Sequence, residues 1–387
     1  MREREVGSGS PQHDQQEDGR NGERQDELPP NAKASSSRQR PWAGGSSGLG
    51  TRETSLERDS ALHPAAPVDA IGLVLGGHAG GYGSRAVDSD LVIGVDLGGT
   101  KLLAGVVARD GRIGVTKEVS TPTESQEAVL DALEDVIADV MEDGVAAIGF
   151  GVPVNLDRAT GRGFRATNLP LHDVDLGSRV RKRFRLPVGV ENDGNAAALA
   201  EWRLGAGRGA SNLVVLTLGT GVGGGLVLDG RLYRGWAELG HVVVLAGGPS
   251  CQGNCHGHGH LEAVASGQAA ERLARELWGE EAGPHALVSR AREGDAAAIA
   301  ALAGIGEYLG AAIGSFANIF DPDLVIVGGG FGAAAGDLVL EPARAAARSE
   351  AIQPADERLR IVEAELGDEA GLIGAALVGF EALDGER

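Results

Sequence analysis

At 387 residues the chain is long enough for two domains or one bilobed body, and it can bury a sizeable core without disulfides. Its net charge of −20 repels phosphate backbones and argues against nucleic acid as a partner. The short basic run RVRKRFR (Arg179–Arg185) reads as the exposed face and end of one helix. Two cysteines four positions apart do not make a secreted disulfide scaffold, no apolar run approaches membrane-spanning length, and the N-terminus lacks the apolar stretch of a signal peptide. A cytoplasmic setting without membrane attachment is expected.

Residues 1–89 are polar, rich in Gln, Ser, Gly and charge, and cannot bury enough apolar surface to offset ordering entropy. They are expected to be a disordered tail, either a regulatory appendage or a start placed too far upstream. Residues 90–203 are expected to form a first α/β lobe. LVIGVDLGG is a buried strand ending in glycine, LLAGVVARDGRIGVTKEVS gives two more strands around an Asp-Gly turn, and SQEAVLDALEDVIADVMEDG repeats apolar residues at helical spacing behind Ser125 or Thr123 as cap. The strand VAAIGFGVPV, a helix over Leu176–Phe184, the strand LPVGVEN and the helix AAALAEWRLG follow.

A similar order then begins again, over residues 204–368. NLVVLTLGTGVGGGLVLDGRLYRG supplies a strand, a Gly-rich turn, a strand and a hairpin. Helices are expected at Leu261–Leu277, Ala286–Glu293, Ala296–Phe320 and Ala333–Ser349, with the strands DLVIVGGG and LRIVEAEL between and after the last two. A final helix, within 369–387, is expected to pack back on the first lobe. Two strand-rich halves, each opening on a strand and glycine turn, predict a duplicated α/β fold with a central cleft.

The two turns suit phosphate. In DLGGTK, Gly98 and Gly99 allow close backbone approach, Thr100 adds a hydroxyl, Lys101 follows, and Asp96 at the strand end can hold Mg²⁺. LGTGVGGG offers Gly219, Thr220, Gly221, Gly223 and Gly224 at the equivalent place in the second half. Gly329, in GGGFG, lets an adenine or ribose lie against backbone. No Walker A lysine turn or Rossmann fingerprint is present.

ENDGNAAALAE puts Asn192 and Asp193 where a strand runs into a helix; both are also good helix caps. Asp193 closes the last strand of the first half, where it faces the cleft and suits a general base for phosphoryl transfer to an alcohol. Asn168, Glu238, His241 and Glu262 are the amide, carboxylates and imidazole that a polyhydroxylated ligand requires.

Both cysteines lie in HVVVLAGGPSCQGNCHGHGHLE, over residues 241–262. His241, Cys251, Cys255 and His260 make a candidate tetrahedral Zn²⁺ site, with His256 or His258 as alternative fourth ligands and a Cys251–Cys255 disulfide as the competing reading. One His241 nitrogen can bind metal while the other meets a sugar hydroxyl.

Taken together, DLGGTK, NDGNAAALAE, LGTGVGGG, ELGH and the Cys/His loop ending LEAVASG resemble the ROK family of sugar kinases, bacterial glucokinases in particular, over about residues 91–383. The resemblance implies the actin-like, hexokinase-type (ribonuclease-H-like) ATPase fold, ATP with Mg²⁺, Asp193 as base, sugar contacts at Asn168, Asn192, Glu238, His241 and Glu262, and a homodimer or homotetramer. It leaves the acceptor open among glucose, N-acetylmannosamine, N-acetylglucosamine and fructose. Sugar-sensing repressors of the family carry an N-terminal DNA-binding domain, and residues 1–90 lack its helical periodicity and basic helix. Two departures stand out. The first Cys spacing is wider by two residues, with His260 in place of the family's last cysteine. Val154 replaces a glycine near the sugar, which is expected to narrow the pocket.

Overall fold

The computed structural model describes residues 91–157, 162–166 and 169–386. The expected tail and the candidate sugar ligand Asn168 lie outside these residues. The first half opens with β1 (Leu91–Leu97), β2 (Lys101–Ala108) and β3 (Ile113–Ser120). The Asp110 carboxylate closes the β2–β3 turn by accepting from the Arg112 N–H at 3.1 Å. Helix α1 (Gln126–Val140) is capped by Ser125, whose hydroxyl accepts from Ala128 N, and it buries Val129, Leu130, Leu133, Val136 and Ile137 along one face. Each such side chain contributes roughly 1.5–3 kcal/mol on burial.

Next come β4 (Val145–Val152), the short strands β5 (Val154–Leu156), β6 (Gly163–Ala166) and β7 (His172–Val174), then α2 (Leu176–Phe184), β8 (Val188–Asn192) and α3 (Asp193–Arg203). The β5–β6–β7 sheet is absent from the sequence reading. On α2, Arg179 reaches Glu127, Asp131 and Glu134 of α1, and Arg183 also binds Glu134. Part of the basic run therefore clamps one helix to another.

The second half contains β9 (Leu213–Leu218), β10 (Val222–Leu228), β11 (Arg231–Leu232), α4 (Leu261–Ala265), α5 (Gly267–Trp278), α6 (Pro284–Arg292), α7 (Ala296–Phe320), β12 (Leu324–Gly328), α8 (Gly330–Ala335), α9 (Asp337–Glu350), α10 (Ala355–Arg358), β13 (Ile361–Glu363) and α11 (Ala370–Glu386). Two expected helices are each broken. Leu261–Leu277 is interrupted at Ser266, which is extended and caps α5 by accepting from Ala269 N. Ala333–Ser349 is interrupted at Gly336, which sits at φ +53° between α8 and α9.

The two main sheets share one topology. Their orders are β3-β2-β1-β4-β8 and β11-β10-β9-β12-β13. In each, an antiparallel trio continues into two parallel strands. In the first sheet, Gly94, Gly149 and Gly189 lie side by side on β1, β4 and β8. A Cβ at any of them would overlap a backbone carbonyl of α11, so this glycine row seats the last helix directly on the sheet.

Helix α7 corrects one expectation: by length and composition it is apolar enough to cross a membrane. Here it packs into the second half, burying Leu302, Ile305, Leu309, Ile313 and Phe316 in the core with α9. The two chain crossings between the halves meet at Glu201, a buried carboxylate that accepts from the N–H groups of Ala206, Glu365 and Leu366 at 3.0, 3.2 and 2.9 Å.

Candidate active site

A cleft of about 550 Å³ opens between the halves. The first half lines it with Gly99, Thr100, Asn155, Asn192 and Asp193; the second brings Gly219 to Gly221, Gly223, Glu238, His241, Glu262 and Gly329. A smaller cavity of about 220 Å³ shares Asp193 and Gly329 and holds Asp96 and Lys101.

The first turn is braced from within. Gly98 N donates to Lys101 O at 2.9 Å, and the Thr121 hydroxyl donates to Gly98 O at 2.8 Å. Gly99 and Thr100 are left exposed to the cleft, while Gly98 lies outside its lining. The Asp96 carboxylate rests against Gly371 in the first turn of α11, where a side chain would overlap it. Burial, and then the nearby Asp193 charge, raise Asp96 to about 6, against the smaller opposing effect of Lys101.

The second turn is tied to the α4–α5 junction. Gly219 O accepts from Gly267 N at 2.8 Å, and Val222 N donates to Glu262 Oε2 at 2.9 Å. Glu262 thus commits one carboxylate oxygen to the turn. Gly224 lies below the cleft surface: a Cβ on Gly194, in the first turn of α3, would overlap its carbonyl, so this pair fits α3 tightly onto β10.

Asp193 begins α3 and stands half-buried at the β8–α3 corner, where it lines the cleft. Burial raises its pKa above the ordinary carboxylate range, against hydrogen bonds from Gly194 N–H and the Asn192 side chain. Asn192 Oδ1 caps the helix by accepting from Asn195 N at 3.2 Å. Behind them, the fully buried Glu191 accepts from Asn192 N and Asn195 Nδ2 at 2.9 and 3.2 Å. Arg234, from the segment after β11, reaches Glu191 at 3.4 Å and also pairs with Glu381 of α11. It fastens the stretch carrying Glu238 and His241 to the strand carrying Asn192.

Glu238 is likewise raised by burial, opposed first by His241 and then by a hydrogen bond with Asn155. Asn155 escaped the sequence reading; its one signal is its place just beyond the cleft end of β4. Val154 has two roles. Its side chain packs against Gly163 of β6 and into the core with Leu130 and Leu133, supporting the small sheet, and the residue also lines the cleft between Pro153 and Asn155.

The Cys/His loop converges as a donor set. Ligand atoms of His241, Cys251, Cys255 and His260 all lie within 4.8 Å of one another. Nδ1 of His241 is 3.2 Å from Nδ1 of His260 and 3.6 Å from Cys251 Sγ, and Cys255 Sγ is 3.5 Å from His260 Nδ1. Ligands about 2.0–2.3 Å from a tetrahedral centre stand about 3.3–3.8 Å apart, so the set fits Zn²⁺. His256 and His258 are not part of this cluster, and His258 Nδ1 lies 3.4 Å from Ser250 Oγ. The cysteines are unpaired. Burial, together with the Glu262 and Cys255 side chains, pushes the Cys251 thiol up to about 12, so it needs a bound cation to ionise near neutral pH. Burial and His241 lower His260, which favours the neutral imidazole that a metal requires. His241 turns Nδ1 to this cluster and Nε2 toward Glu238, 3.8 Å away.

Residues 92–380 match the sequence profile of the ROK family. A glucokinase of Thermotoga maritima is 37% identical over 317 residues, covering 76% of this chain and 98% of that protein. A glucokinase of Streptomyces coelicolor is 36% identical over 313 residues, covering 74% and 96%. The crystal structure of a ROK family glucokinase from Streptomyces griseus, in complex with glucose and AMPPNP, superposes with a TM-score of 0.68 at 35% identity, covering 75% of this chain and 99% of that one. The repeated sheet topology is therefore the duplicated actin-like, hexokinase-type fold, and the chain belongs to the ROK family.

Proposed function

We propose that the chain is an ATP-dependent sugar kinase that phosphorylates a hexose, with glucose as acceptor and glucose 6-phosphate as product. One observation supports this most: the half-buried carboxylate of Asp193 stands in a cleft lined on one side by Gly99–Thr100 and on the other by Gly219–Gly221. Phosphoryl transfer needs a base at the hydroxyl, phosphates held in line and compensation of charge.

Asp193 accepts the proton of the sugar hydroxyl as that oxygen attacks the γ-phosphorus, and the bond to the β-phosphate oxygen breaks to release ADP. The Asn192 side chain holds the carboxylate in place through its hydrogen bond. Asn192, Glu238, His241 and the second oxygen of Glu262, which also lies 3.6 Å from Cys251 Sγ, orient the sugar, joined by Asn155 through its link to Glu238. Asn168 belongs to the proposed sugar contacts from sequence alone. Backbone N–H groups of the two turns cradle the phosphates, with Gly329 beside the nucleoside.

The Asp193 charge raises the proton affinity of the neighbouring Asp96 beyond what Lys101 offsets, so Asp96 suits a cation. Asp96 would hold Mg²⁺, which would supply charge neutralisation on the phosphates. His241, Cys251, Cys255 and His260 would hold a structural Zn²⁺ that fixes the loop. Two unpaired thiols suit a reducing, cytoplasmic compartment.

The test is a coupled ADP-release assay over a panel of hexoses and N-acetylated amino sugars. Turnover is expected with glucose. Turnover confined to N-acetylmannosamine, N-acetylglucosamine or fructose would move the acceptor and keep the reaction class. Absence of turnover with every sugar would overturn the kinase reading.

A further inference from the structure

The widened Cys251–Cys255 interval contains a residue whose side chain leaves the Cys/His loop altogether. Gln252 is half-buried, and its amide Nε2 donates to the Ser266 hydroxyl oxygen at 2.9 Å and to the Glu262 carbonyl at 3.3 Å. Ser266 is fully buried at the break between α4 and α5 and caps α5. The residues that follow it hold the second glycine turn: Gly267 N donates to Gly219 O at 2.8 Å and Gln268 N to Thr220 O at 3.3 Å. Glu262 adds the contact from Val222 N to its carboxylate. A continuous run of hydrogen bonds thus passes from the loop, through Gln252 and the helix break, to the turn at Gly219–Val222.

We propose that Gln252 is a positioning residue for the nucleotide, carrying the order of the metal loop into the second phosphate turn. This rests on the kinase reading for its ligand, ATP, and on the Cys/His cluster for its anchor. Helix α5 could otherwise pivot about the extended Ser266, taking the Gly219 and Thr220 carbonyl contacts with it. A second donor on Ser266 and one on the Glu262 carbonyl restrict that pivot.

The test compares Gln252→Ala with wild type by steady-state kinetics, Zn²⁺ content, calorimetric titration with ATP, and amide hydrogen exchange. The variant should keep its Zn²⁺, its kcat and its KM for sugar. Its KM and dissociation constant for ATP should rise about five-fold, the effect of one lost neutral hydrogen bond. The N–H groups of Val222, Gly267 and Gln268 should exchange faster. Unchanged exchange at those amides, loss of Zn²⁺, or a KM change confined to the sugar would each overturn the proposal. Should the wild type phosphorylate no sugar, the kinase reading fails, while exchange and ATP titration still decide the role of Gln252.

Discussion

Asp96 and Asp193 carry opposite consequences as pH falls. Both have proton affinity raised by burial, Asp96 to about 6. Their active forms are the anions, so kcat/KM should fall as pH drops through about 6, where an ordinary carboxylate would lose activity only near 4. Stability runs the other way. A carboxyl whose folded value lies above its unfolded value favours the folded state when protonated, so the unliganded protein should gain stability as pH falls from about 6 toward 3.8. Thermal melts of wild type and Asp96→Asn across that window check this: the variant should lose part of the gain, with Asp193 and Glu238 keeping the rest, and an identical slope in both would remove Asp96 as a source. Arg234 belongs to the same scale. Arg234→Met removes one cationic contact from the buried Glu191, at a cost of about 1 kcal/mol after allowing for the half-exposed arginine. Sugar KM should rise with it, because the Glu238–His241 stretch loses its fastening; an unchanged sugar KM would reduce Arg234 to a surface pair.

At the scale of elements, His260→Ala should weaken Zn²⁺ binding by at least about 100-fold and lower the melting temperature, read by metal analysis and calorimetry. Undiminished Zn²⁺ would hand the fourth position to His256 or His258. What could be read here from sequence followed signal length. Helix α2 has the expected span, and Ser125 caps α1, because each rests on a local pattern of several residues. Strands β5 to β7 run three or four residues each and offer no window for a period of two. The breaks at Ser266 and Gly336 were hidden because apolar spacing continues across them, while a single hydroxyl and a single positive φ decide the chain direction. The site followed the same rule. Glycine turns and the Cys/His loop announce themselves by composition, whereas Asn155 is one amide whose role comes from the strand that delivers it. Glu262 looked like a sugar ligand alone; only the fold shows one of its oxygens committed to the Val222 N–H.

For the whole molecule, the duplicated sheets explain why chemistry lies between them: each half supplies one turn, and the corner of β8 and α3 supplies the acid. The family match spans residues 92–380, so deleting residues 1–88 should leave kcat and both KM values unchanged. A loss of turnover in a folded truncation would give the N-terminal segment a part in the reaction. The central claim is that Asp193 takes the proton of a sugar hydroxyl held against the γ-phosphate. Single-turnover transfer of labelled γ-phosphate from ATP to glucose, measured in wild type and Asp193→Asn beside calorimetric glucose binding, tests it most directly. The account predicts near-normal glucose binding by the variant and transfer slowed by about 10²–10⁴-fold; transfer at the wild-type rate would contradict it.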